Sequence, residues 1–165
     1  MQRPAVAEQA TRRAQSTSTI EIDCKGPCTP RISQDAFEAM TNILLVDDND
    51  IQAMTRKAVL SRSGKQVMVA NSAPVALEML GDPGFSSQLS LVITDHIMPG
   101  MHGPEFVQNL RAVLPTVPVL VLSGLPDAMD AYEGLDIVFR LKPLAPEELI
   151  RLANELPQTA MGRTA

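Results

Sequence analysis

The chain has 165 residues, of which 45% are hydrophobic but only 3% aromatic, and a formal net charge of −5. That length fits one domain with an aliphatic core. From Met40 onward 9 Lys+Arg face 14 Asp+Glu, so the whole acidic excess lies there and argues against a nucleic-acid or anionic-membrane surface.

The first 39 residues are rich in Gln, Thr, Ser, Pro and Ala and carry no sustained periodicity. Gly26-Pro27-Cys28-Thr29-Pro30 suits neither helix nor strand, so 1–39 reads as a disordered extension with a short helix near 33–40. Cys24 and Cys28 stand as C-x3-C without a nearby His, which cannot complete a four-ligand zinc site. Two reduced thiols are the plain expectation and a redox pair the alternative. No run approaches the ~18 apolar residues of a membrane span, and no secretory signal opens the chain, so a cytoplasmic protein is expected. Met40 is a natural domain start and a candidate initiator. The expected organisation is an extension at 1–39, a domain at 40–157 and a tail at 158–165.

From Met40 the pattern alternates strand and helix. A strand is expected at 42–46, then a helix at 50–62 with Ile51, Met54, Ala58 and Val59 at helical spacing and Gly64 past its end. A second strand follows at 66–70. Ser72 is placed as N-cap of a helix carrying Val75, Leu77, Met79 and Leu80, which Asp82-Pro83-Gly84 stops. The third strand spans 90–94, and Pro99, Gly100 and Gly103 force a turn before a helix at 104–113. The fourth strand takes 117–122, and a weak helix 127–133. The fifth strand takes 137–141, and a last helix runs 146–156 between Pro146 and Pro157. Five apolar runs separated by helices predict an α/β fold, a doubly wound parallel sheet with helices on both faces.

Ligands bind such sheets beyond the carboxyl ends of the strands. Asp47 and Asp48, Asp95, Ser123 and Lys142 all fall at those ends. Singly, each has an ordinary role: a helix cap, a loop carboxylate, a turn, a surface lysine. Jointly they compose a phosphoryl-transfer site. Three carboxylates repel one another without a cation among them, and oxygen ligands select a hard ion, Mg²⁺. Asp48 is assigned to the metal directly, and Asp47 directly or through water. Asp95 gives one oxygen to the metal and the other to phosphorus. Lys142 and Ser123 serve the remaining phosphoryl oxygens. No general base stands ready to activate water, so turnover is expected to be slow. His96 and His102 are read as surface histidines.

The segments 43–50 (ILLVDDND), 91–103 (LVITDHIMPGMHG), 119–124 (VLVLSG) and Leu141-Lys142-Pro143 resemble the receiver domain of two-component response regulators, in order and spacing, over about 42–156. The resemblance implies a flavodoxin-like sheet of order 2-1-3-4-5. It implies that Asp95 is the phosphoacceptor for a histidine kinase or histidine phosphotransfer protein. Mg²⁺ would then be held by Asp47, Asp48, Asp95 and the Ile97 main-chain carbonyl. Lys142, before a cis-bonded Pro143, would contact the phosphate, with Ser123 and Phe139 as switch residues.

Three departures from the family pattern matter. Only 19 positions separate Ser123 from Lys142, which predicts a shortened or partly melted fourth helix and an unusual output surface. Phe139 stands where tyrosine is more frequent. Ile97 and Leu125 are apolar where polar residues in the family help water attack, which predicts slow self-dephosphorylation. With nine residues after Leu156, a single-domain receiver acting on an unidentified protein partner is expected, without direct nucleic-acid or membrane contact. A phosphoryl shuttle or sink in a relay is the alternative. A haloacid-dehalogenase-type phosphatase would use Asp48 and Asp50 and leave Asp95 idle.

Overall fold

Residues 43–46 and 119–123 are apolar at almost every position, so each strand they form must be covered on both faces. A computed structural model of the chain describes residues 42–161 and shows that cover. The expectations for 1–39, Cys24, Cys28 and Met40 lie outside the described residues. In chain order the elements are β1 (Asn42–Val46), α1 (Asp50–Ser61), β2 (Gln66–Ala70), α2 (Ala73–Leu80), the single turn α3 (Pro83–Ser86), β3 (Leu89–Asp95), α4 (Gly103–Val113), β4 (Val119–Ser123), a 3-10 helix (Pro126–Tyr132), β5 (Val138–Leu141) and α5 (Pro146–Met161). The strands form one parallel sheet in the order β2-β1-β3-β4-β5.

Neighbouring residues on a strand face opposite ways, and here both ways lead to a core. Leu44, Val46, Val92 and Val121 pack with Ala73, Ala76 and Leu80 of α2 and Phe106, Val107 and Leu110 of α4. Ile43, Leu45, Leu91, Ile93, Leu120 and Leu122 pack with Ala53 and Leu60 of α1 and Leu149, Leu152 and Ala153 of α5. Fully burying such a side chain contributes about 1.5–3 kcal/mol, so the two aliphatic layers carry the fold. The edge strands are wetter, as edges are: Met68 of β2 and Leu141 of β5 are exposed.

The element pattern matches the expected one, with corrections in detail. The inward face of α1 is not the expected stripe: Ile51 is 79% and Met54 63% exposed, and Ala58 is exposed, whereas Ala53 and Leu60 are buried. Two apolar stripes compete on this helix, and the one that follows β1 into the sheet, 53–56–60, wins. In α2 Val75 is likewise exposed, and Ala73, Ala76 and Leu80 point inward. Ser72 stands at the N-cap but makes no side-chain cap bond. The last helix passes Pro157 and continues to Met161. Pro157 is buried on the 149–153–157 stripe, so its ring fills core space and offsets the lost backbone bond.

Where a helix was expected at 127–133, the chain winds as the 3-10 helix, too short for a full α-helix between β4 and β5. Arg111 of α4 braces this side by donating to the carbonyls of Val117 (2.6 Å) and Asp136. Gly64, at φ +78°, makes the left-handed turn that reverses the chain after α1.

Candidate functional site

The sheet order places the carboxyl ends of β1, β3, β4 and β5 side by side, and the chain departs to opposite faces after β1 and β3. The ladders run to the strand ends, with Val46 opposite Thr94, Asp95 opposite Leu122 and Ser123 opposite Leu141. One bond beyond, the Lys142 N–H donates to the Ser123 carbonyl (2.7 Å). Asp47, Asp48, Asp95, Ser123 and Lys142 therefore share one edge of the sheet.

The first question is whether the acidic pair merely caps α1. The cap is Asn49, whose side-chain oxygen accepts from the Gln52 N–H at 3.0 Å. Asp47 is fully buried and turned under the helix, with Oδ1 accepting from the Asn49 N–H (2.9 Å) and Oδ2 ion-paired to Arg56. Asp48 is exposed beside it. Asp95 is nearly buried and its Oδ2 is ion-paired to the Lys142 ammonium. One carboxylate oxygen from each of Asp47, Asp48 and Asp95 lies within 4.8 Å of the others. An all-oxygen anionic cluster of that span fits a hard divalent cation such as Mg²⁺.

The other expected residues sit around this core. Ile97 follows β3 with its side chain exposed, and Leu125 follows β4, half-exposed. The Ser123 hydroxyl is fully buried and bonds within its own loop, accepting from the Leu125 N–H (2.9 Å) and donating to the Leu125 carbonyl (3.2 Å). Phe139 is partly buried against Tyr132, ring centroids 6.2 Å apart. The Lys142–Pro143 peptide bond is cis.

Several participants escaped the sequence reading. Arg56 meets Asp47, and Gln52 accepts from Arg56 (2.8 Å) while lying 3.5 Å from the Lys142 ammonium. From sequence Arg56 gave no signal, since a cation on the 53–56–60 stripe argues for solvent until the buried carboxylate that pairs it is seen. Burial pushes the Arg56 guanidinium below its usual value and Asp95 pushes it back, and it stays charged. His96, expected on the surface, is partly buried, and its Nδ1 lies 3.0 Å from the hydroxyl of Tyr132. Burial lowers the pKa of His96, against the pull of Asp95; burial, helped by Asp95, raises that of Tyr132. His102 is exposed at the head of α4, as expected. Gly103 explains how Tyr132 fits: a Cβ there would collide with its hydroxyl and crowd the Asp95 carbonyl at 3.1 Å.

The chain matches a known family. Residues 43–154 match the family described as "Response regulator receiver domain". The chain belongs to that family. Among curated relatives it is 30% identical to Two-component response regulator ORR6 of Oryza sativa subsp. japonica, over 74% of this chain and 74% of that one. It is 34% identical to ORR41 of the same plant, over 67% and 89%. Among solved structures, this receiver is similar to the chemotaxis protein CheY4 of Vibrio cholerae, with TM-score 0.63 and 25% identity over 72% of this chain and 99% of that one. A receiver domain protein from Clostridium thermocellum shares the fold, with TM-score 0.67, 22% identity and 73% and 97% coverage. The doubly wound sheet of order 2-1-3-4-5 is the receiver fold. Phosphoacceptor signalling in two-component systems comes with the family, and such domains generally bind Mg²⁺ at an acidic pocket. No described helix of this receiver is long and apolar enough to cross a membrane.

Proposed function

We propose that this receiver takes a phosphoryl group on Asp95 from the phosphohistidine of a histidine kinase or histidine phosphotransfer protein, in the cytoplasm. The observation that carries the reading is Asp95 itself: a nearly buried carboxylate at a strand tip, paired with Lys142 and clustered with two further carboxylates. A carboxylate oxygen of Asp95 bonds to phosphorus as the phosphorus–nitrogen bond breaks, and the electron pair leaves on the imidazole nitrogen. Asp47, Asp48, Asp95 and the Ile97 carbonyl would hold Mg²⁺, which when bound neutralises charge developing on the phosphoryl oxygens.

The residues of the chain do the rest. Lys142 already faces the acceptor and can follow the new phosphoryl charge without crossing the pocket. Ser123 must exchange its Leu125 bonds for a phosphoryl oxygen, which remodels the loop leading into the 3-10 helix. Phe139, packed on Tyr132 of that helix, is placed to move with it. Half-exposed Ile97 and Leu125 bring no polar atom to orient water, so the phospho-form is expected to outlast seconds. The phosphatase alternative loses ground, since Asp48 and Asp50 are both exposed and Lys142 faces Asp95.

Incubation with a small phosphodonor and Mg²⁺, followed by intact mass measurement, tests the reading. One added phosphoryl group, absent from Asp95→Asn, is the expected result. Modification that persists in Asp95→Asn refutes the assignment.

A further inference from the structure

Each oxygen of the buried Asp47 carboxylate already has a partner from its own chain. Oδ1 takes the Asn49 N–H and Oδ2 takes Arg56. Arg56 reaches this point because α1 turns positions 53, 56 and 60 toward the sheet. Its side chain is only 16% exposed, so the pair is poorly screened by solvent. From Arg56 the polar contacts continue through Gln52 Oε1 to Lys142 and on to Asp95. Three carboxylates thus meet two fixed cations.

We propose that Arg56 is a built-in cation of the phosphoryl site, competing with the divalent ion for Asp47 and setting how tightly that ion is held. The proposal rests on the metal-assisted reading above and deepens it. Lys142 faces the acceptor; Arg56 faces the opposite carboxylate, so the two cations divide the cluster between them. A divalent ion entering the cluster meets one net negative charge instead of two, and it must draw Asp47 away from a guanidinium held in place by Gln52. Both effects weaken binding of the ion. Arg56 is a positioning and affinity-setting residue; it is not assigned contact with the phosphoryl group.

Titration calorimetry with MgCl₂ on the full chain tests this, comparing wild type with Arg56→Met and Arg56→Lys. Arg56→Met is expected to bind Mg²⁺ at least about tenfold more tightly, since one close charge is removed. Arg56→Lys keeps the charge and is expected to stay within about threefold of wild type. Thermal melts give a second readout: Mg²⁺ should raise the midpoint of Arg56→Met more than that of wild type. If Arg56→Met does not fold, Arg56→Gln carries the same expectation. Equal or weaker Mg²⁺ binding in the charge-removed variant overturns the proposal, as does undetectable binding in every form. Phosphorylation of Asp95 is scored separately by intact mass, so failure of the acceptor reading leaves the calorimetric result to stand or fall alone.

Discussion

The two ends of the site edge are built on different principles. Around the acidic cluster the geometry comes from charge: Asp47 with Arg56, Asp95 with Lys142, Asn49 closing the turn. Around the 3-10 helix it comes from shape, with Tyr132 wedged against His96, Phe139 and Gly103. The charged end fixes carboxylates against cations, and the aromatic end is a packed joint beside the Asp95 carbonyl. The difference implies that stability and phosphoryl chemistry respond to different substitutions.

The largest expected effect breaks the aromatic end. Tyr132→Ala removes a buried ring and leaves His96 without its partner, so denaturant unfolding should show a loss of about 3–5 kcal/mol. Mg²⁺ binding, proposed for the charged end, should survive in the fraction that folds. Lys142→Met does the reverse: phosphorylation of Asp95 by a small phosphodonor should slow on the order of a hundredfold, with a smaller change in unfolding than Tyr132→Ala causes. Gly103→Ala lies on the boundary between the two ends. Its methyl meets the Tyr132 hydroxyl, so a loss of about 1–3 kcal/mol is expected. In a Tyr132→Phe background part of that loss should vanish, and strict additivity in the double-mutant cycle would show that the collision is unimportant.

What could be read before the structure follows the same division. Long aliphatic runs ending in Asp, Ser or Lys announce both the buried strands and the site, because few other arrangements place those residue types together. The inward face of α1 was harder, since Ile51 and Met54 form a more apolar stripe than the true one, whose Arg56 turns inward only because Asp47 pairs it. Pro157 reads as a stop because local rules describe backbone bonds, whereas its buried ring answers to tertiary packing. The contact between His96 and Tyr132 joins residues 36 apart and depends on a missing Cβ at Gly103. No local pattern encodes such a contact.

The double covering of β1 has a consequence for how the sheet finds its alignment. In a sheet with one wet face, a slip of one residue exposes every apolar side chain and is forbidden by that alone. Here a slip would exchange Leu44 and Val46 for Ile43 and Leu45, aliphatic for aliphatic, and the buried apolar area would hardly notice. It would, however, carry Asp47 about 3.3 Å along the strand and turn it to the other face, away from Arg56. The carboxylate of Asp47, proposed above for the metal, thus also acts as the alignment key of an otherwise ambiguous strand, so mutational scans of Asp47 should report on folding fidelity as well as on phosphoryl chemistry.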